Sequence, residues 1–187
     1  MLMQGALGAA ERRFVLVTGP PGTGKTTLAG PLAIALGLTL IGKDPIKEAL
    51  MEALGSPREV EDSRRLGSAA VTAMLAVAST SCGAVLESTF YPQTIDALRA
   101  FPGRFVEVRC SCPRDVALDR YRRRATARHV GHLDSLRTDD ELWDPLLLDP
   151  LGLGPVITVD TTVPTDVAAV AAEVTRLFKA SSPGVDR

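Results

Sequence analysis

Apolar positions along the chain follow two rhythms. Residues 14–17, 38–41, 84–86, 105–108 and 156–159 are short runs that are apolar almost throughout. Between them lie longer stretches with helical spacing, over 25–36, 45–54, 57–79, 92–100 and 166–179. A strand that is apolar on both faces belongs to a parallel sheet covered on both sides, whereas an alternating strand leaves one face to water. Punctuation fits this division. Gly37 stops the first helix, Pro45 and Pro57 stand in the first turns of the next two, and Thr165 caps the last. Along 57–79 the apolar stripe is expected at Leu66, Ala69, Ala70, Ala73 and Val77. Pro113 opens a helix whose polar end is packed with arginine, and 139–148 reads as helical. Strands and helices thus alternate five times, which predicts a three-layer α/β fold. No internal repeat or linker interrupts the pattern, so 1–187 is expected to be one domain. Its core is 12–180, with flexible ends at 1–11 and 181–187.

Composition narrows the class. Aromatics are only 4% of 187 residues, so Ala, Val and Leu must build the core. A net charge of -1 argues against a general nucleic-acid binder, which needs a basic field, although a local basic groove stays open. No apolar run is long enough to span a bilayer. Residues 1–10 lack the positive start and long apolar stretch of a secretory leader. A cytoplasmic location with reduced thiols is the expectation. Cys82, Cys110 and Cys112 cannot all pair, and Cys110 and Cys112 stand too close for the usual zinc spacing. They read as ordinary core or surface residues.

One motif carries specific chemistry. Gly19-Pro20-Pro21-Gly22-Thr23-Gly24-Lys25-Thr26 fits G-x-x-x-x-G-K-[ST], with an apolar strand before it and a helix after it, and these residues with Thr27 are the expected nucleotide-binding set. Glycines let the backbone turn its N–H groups inward toward phosphate oxygens, and the helix adds its positive end. Lys25 is placed to reach the β- and γ-phosphates, and the Thr26 hydroxyl to bind Mg²⁺. The ligand expected is ATP or GTP with magnesium.

Other candidates cluster at strand ends, where parallel sheets gather function. The second strand runs into Gly42-Lys43-Asp44, with Lys47 three residues on. A carboxylate there can accept a proton from an attacking hydroxyl, or simply cap the helix, and the two roles are compatible. Lys47 shares its helix face and suits a negative or polar group on the acceptor. The third strand ends in Glu87, which can serve the Mg²⁺ shell beside Thr26 or the acceptor itself. Arg120, Arg122, Arg123, Arg124 and Arg128 form a basic run. Arg120, Arg124 and Arg128 fall on one helical face, as in a lid over about 120–136 that closes on phosphates, with His129 and His132 ending it. Arg64, Arg65 and Asp62 could line an acceptor pocket, but as charged residues they belong more naturally on the surface.

These features resemble the compact P-loop kinases that group with polynucleotide 5′-kinase, chloramphenicol phosphotransferase and the zeta-toxin kinases. The likeness rests on Gly19 to Thr26, on Asp44-Pro45-Ile46-Lys47, and on Arg120 with Arg124. It implies a five-stranded sheet ordered 2-3-1-4-5 and an arginine-rich helical lid. It implies ATP as donor, Asp44 as general base, Arg120 against adenine and Arg124 on phosphates. Lys47 stands where polynucleotide kinases often carry arginine, which counts against a 5′-end nucleic-acid acceptor. The resulting expectation is a kinase that uses Lys25, Asp44 and Arg124 for catalysis. Asp44, Lys47, Glu87 and Arg128 would hold a small hydroxyl-bearing acceptor. A polynucleotide or nucleotide kinase, or an ATP-binding regulatory NTPase, is the alternative.

Overall fold

The computed structural model describes residues 12–180. The expected flexible ends, 1–11 and 181–187, lie outside the described residues. Five strands and seven α-helices alternate from β1 (Arg13–Thr18) and α1 (Lys25–Leu36) through β2 (Thr39–Gly42), α2 (Lys43–Leu54), α3 (Val60–Ala78) and β3 (Gly83–Glu87). They continue with α4 (Pro92–Arg99), β4 (Arg104–Ser111), α5 (Arg114–Arg124), α6 (Asp139–Leu142), β5 (Val156–Asp160) and α7 (Val167–Ala180). The sheet is parallel throughout and ordered β2-β3-β1-β4-β5, as the resemblance implied.

The central strand shows why the runs are apolar on both faces. Alternate residues of β1 enter different cores. Val15 and Val17 pack with Leu28, Leu32, Val174 and Phe178 under α1 and α7. Phe14 and Leu16 pack with Met74, Leu86, Leu98 and Phe105 on the opposite side, under α3 and α4. Each such fully buried side chain contributes about 1.5–3 kcal/mol. The Phe14 ring meets Phe101 edge-on, with centroids 4.9 Å apart, and Phe105 at 5.8 Å.

Several local expectations shift. In α3 the buried positions are Ser63, Ala70, Met74 and Ala78, while Ala69 and Val77 are exposed. Small residues (Ala, Ser and Gly) are 8 of the 19 in this helix and fall on several faces, so its pattern is too flat to fix the buried one. Asp166, not Thr165, caps α7, its carboxylate accepting the Ala169 N–H at 3.0 Å. The segment 139–148 forms one helical turn at Asp139–Leu142 and a 3₁₀ turn at Pro145–Leu147, because Trp143 leaves helical geometry between them. The segment expected to form a lid, 120–136, is not one helix. α5 ends at Arg124, and turns at 125–128 lead into 3₁₀ turns at Val130–His132 and Asp134–Leu136. Arg122 fixes this ending by donating to the carbonyls of Asp134 and Arg137. Arg128 therefore does not share a helix face with Arg120 and Arg124.

Candidate active site

The loop from Gly19 to Gly24 joins β1 to α1 and owes its shape to glycine. Gly22 sits at φ 83°, and a β-carbon there would fall 2.0 Å from the carbonyl oxygen of Ala117 in α5. Gly19, at φ 123°, is similarly pressed against the Cys110 carbonyl. Thr23 hydrogen-bonds its hydroxyl to the Pro20 carbonyl at 2.8 Å, bracing the loop from within. The buried Lys25 ammonium donates to the carbonyls of Gly19 and Pro20 at 2.8 and 2.9 Å. Burial lowers its pKa to about 8, with nearby Glu87 opposing the shift and Arg124 adding to it. A strong anion at this lysine would relieve that penalty.

Thr26 opens toward β3, where its hydroxyl lies 3.5 Å from Glu87 Oε1. Glu87 is almost fully buried, and burial raises its pKa despite the pull of Lys25. A hydroxyl beside a buried, undercompensated carboxylate is the oxygen donor set that suits a magnesium ion. Arg124 faces the same space. Its guanidinium stacks 5.2 Å from the Tyr121 ring centroid, and among the described residues its buried Nε has no hydrogen-bond partner. The inward glycine loop, the undercompensated carboxylate and this unmet donor together fit a magnesium nucleoside triphosphate.

These groups open on a cavity of about 510 Å³ that continues past Asp44 between α3 and α4. Pro21, Gly22, Gly24, Lys25, Thr26, Asp44, Lys47, Glu87, Arg124 and Arg128 all line it. Gly19, Pro20 and Thr23 shape the loop without lining the cavity, and Thr27 is exposed outside it. Arg120 turns to the loop after β5 instead, donating to the Thr161 carbonyl at 2.9 Å and lying 3.3 Å from its hydroxyl. Arg64 lines the cavity, whereas Arg65 and Asp62 form an exposed pair.

Asp44 is not a cap. Gly42 holds the N-cap position of α2 and no side-chain cap bond forms there, so the Asp44 carboxylate is left for the cavity. One oxygen faces Lys43 Nζ at 3.1 Å and the other accepts from Arg128 at 2.5 Å. Burial pushes its pKa upward, but Lys43, Arg128 and His132 outweigh this and hold it well below the usual carboxylate range. One turn on, Lys47 is buried and donates to the Ser63 hydroxyl at 2.7 Å. Burial, with Lys43, Arg137 and Arg128 as like-charged neighbours, lowers its pKa to about 8. Among the described residues Lys47 forms no ion pair, unlike Lys43, Arg64, Arg128 and Arg137 around it.

Sequence reasoning undervalued part of this site. His132 is buried in the cavity wall, with Nε2 2.8 Å from Glu48, while His129 accepts the Gly131 N–H outside the lining. Asp134, Tyr121 and Ser63 were not foreseen at all. Asp134 reaches the cavity because Leu133 adopts a left-handed conformation, φ 55°. Among the described residues it is the one non-glycine residue with positive φ, at a strain of about 1–2 kcal/mol. No local signal in a Leu-Asp-Ser stretch announces such a turn.

No family model and no curated protein sequence matches the chain. Solved structures do. A protein of Chloroflexus aurantiacus J-10-fl, assigned as a kinase, superposes with TM-score 0.78 at 32% identity, covering 89% of this chain and 98% of that one. A gluconokinase of Sinorhizobium meliloti 1021 gives 0.59 at 19% identity, covering 91% and 96%. Shikimate kinase of Acinetobacter baumannii, in complex with shikimate, gives 0.55 at 20%, covering 92% and 96%. At such identity the last two show a common fold. Among the described residues no helix is long and apolar enough to cross a membrane.

Proposed function

Since the chain belongs to the P-loop kinase family, we propose that it transfers the γ-phosphoryl group of ATP to a hydroxyl of a small molecule, with Asp44 as general base. The observation that carries this reading is the single cavity in which the phosphate loop, the Thr26–Glu87 pair and the Asp44 carboxylate face one another. A regulatory NTPase needs no carboxylate and no enclosed space beyond the phosphate site. Here the cavity extends past Asp44 to Val71, Leu75 and Ala97, far enough to seat a second molecule.

When bound, magnesium ATP supplies the phosphoryl group and places the metal's charge on its oxygens. The loop N–H groups and Lys25 hold the phosphates, with Thr26 and Glu87 holding the metal. Arg124 brings a partly desolvated positive charge to where negative charge builds in the transition state. Asp44 orients the attacking hydroxyl and takes its proton. Its low pKa suits a loose phosphoryl transfer, in which the proton leaves late and positioning outweighs basicity. Lys47, which among the described residues forms no ion pair, anchors an anionic or strongly polar group of the acceptor. Val71, Leu75 and Ala97 add apolar surface to the cavity wall beside Thr72, Gln93 and Thr94.

The direct test is transfer from γ-labelled ATP with Mg²⁺ to a panel of sugars, hydroxy acids, nucleosides, hydroxylated antibiotics and 5′-hydroxyl oligonucleotides. Label on a small molecule is the expected result. Label on oligonucleotides alone would replace this reading with a polynucleotide kinase. Phosphate release that no acceptor alters would favour a regulatory NTPase.

A further inference from the structure

Four side chains form a continuous chain of contacts from the lid to Asp44. Tyr121, in the last turns of α5, donates its hydroxyl to Asp134 Oδ1 at 2.6 Å. Arg128 Nη1 bridges both oxygens of Asp134, at 3.1 and 2.8 Å. Its other nitrogen, Nη2, reaches Asp44 Oδ2 at 2.5 Å. The guanidinium fork is thus divided between two carboxylates. Asp134 holds one prong, and the other serves Asp44 while lying 3.1 and 3.3 Å from the ring nitrogens of His132. Asp134 is 7% exposed, so this is a built contact rather than a surface pair. The left-handed Leu133 is a second, independent sign. A strained backbone persists where the surroundings require it, and here it delivers Asp134 to Arg128.

We propose that Asp134 is the positioning residue of Asp44: it holds Arg128 at the distance that fixes the Asp44 carboxylate and keeps one face of that carboxylate open to an incoming hydroxyl. The inference rests on the reading of Asp44 as general base. Tyr121 locks Asp134 in turn. A bare arginine would be free to wrap both oxygens of Asp44, or to swing away toward phosphate. Anchored by Asp134, it does neither.

The test exploits a difference of sign. Asp44 is faced by Lys43 from α2 and by Arg128 and His132 from the lid. Lys25, Glu87 and Arg124 lie within electrostatic reach from α1, β3 and α5, and Lys47 from its own helix. Removing a nearby negative charge by Asp134→Asn would, through charge alone, lower the Asp44 pKa further. Losing the position of Arg128 would raise it. Carbon-13 NMR of the Asp44 carboxyl group in the full chain reads which happens, and needs no acceptor.

The expected result is a rise of about one pH unit in Asp134→Asn, a smaller rise in Tyr121→Phe, and no added rise when Asp134→Asn is placed on Arg128→Gln. An Asp44 pKa that stays or falls in Asp134→Asn overturns the proposal. If that variant does not fold, Tyr121→Phe decides alone, and an unchanged or lowered Asp44 pKa overturns the proposal there. A wild-type protein that fails every transfer assay would remove the kinase role of Asp44 and leave the titration result standing, so the two failures are distinguishable.

Discussion

The Thr26 hydroxyl and Glu87 Oε1 face each other at 3.5 Å, one at the start of α1 and the other at the end of β3. Register accounts for it: Val17 pairs with Glu87 across the β1–β3 ladder, so the phosphate loop leaves the sheet beside that carboxylate. If this gap holds the metal, Glu87→Gln will raise the Mg²⁺ concentration needed for half-maximal transfer about tenfold while magnesium-free nucleotide binding changes little. A magnesium titration of the transfer rate checks this. An unchanged magnesium midpoint would assign Glu87 to the acceptor.

Lys25→Ala removes the ammonium that spans the phosphate loop. A lost charge-assisted hydrogen bond costs about 1.5–3 kcal/mol, so ATP affinity measured by calorimetry should fall about 10- to 100-fold. Affinity equal to wild type would refute triphosphate binding at this loop.

Asp44→Asn keeps the shape of the site and removes the proton acceptor. Nucleotide affinity should persist, and the turnover number should drop by about 10²–10⁴. Steady-state kinetics with the identified acceptor tests this. Turnover at the wild-type rate would reduce Asp44 to a binding group.

Lys47 sets an alkaline limit. Its pKa in the folded protein is about 8, against an ordinary 10.5. Above about pH 8 the folded site loses the charge that anchors the acceptor, so kcat/KM for the acceptor should fall there. Lys47→Met should lower kcat/KM and flatten that limb. Stability moves the other way. Between about pH 8 and 10.5 the unfolded chain retains a proton that folded Lys47 has released, so this residue's contribution rises with pH in that window. A limb that survives in Lys47→Met belongs to another group, with Lys25 the first candidate.

Phe14→Ala should cost about 3–5 kcal/mol in denaturant unfolding, because the ring is fully buried between Phe101 and Phe105. A loss under 1 kcal/mol would mean that the aromatic cluster collapses around the vacancy.

How much of this was legible depends on how local each cause is. The phosphate loop was fully legible, since its glycines, lysine and threonine act within eight consecutive residues. The parallel sheet followed from strands apolar on both faces. Strand order came only through resemblance, because nothing in β1 states that β3 and β4 will flank it. Asp44 was legible as a strand-end carboxylate, but its partner Arg128 lies 84 residues away. The stop of α5 carries no glycine or proline. It is set by Arg122 reaching carbonyls 12 and 15 residues on, and that hidden stop concealed the inward turn that brings His132 and Asp134 to the cavity.

The contact between Gly22 and Ala117 has a mechanical meaning. Because no room exists even for a methyl group between them, the phosphate loop and the lid helix bear on one another like a cam and its follower. Any side chain larger than hydrogen at position 22 would wedge the loop away from α5, so the seating of one against the other depends on a single absent methyl group.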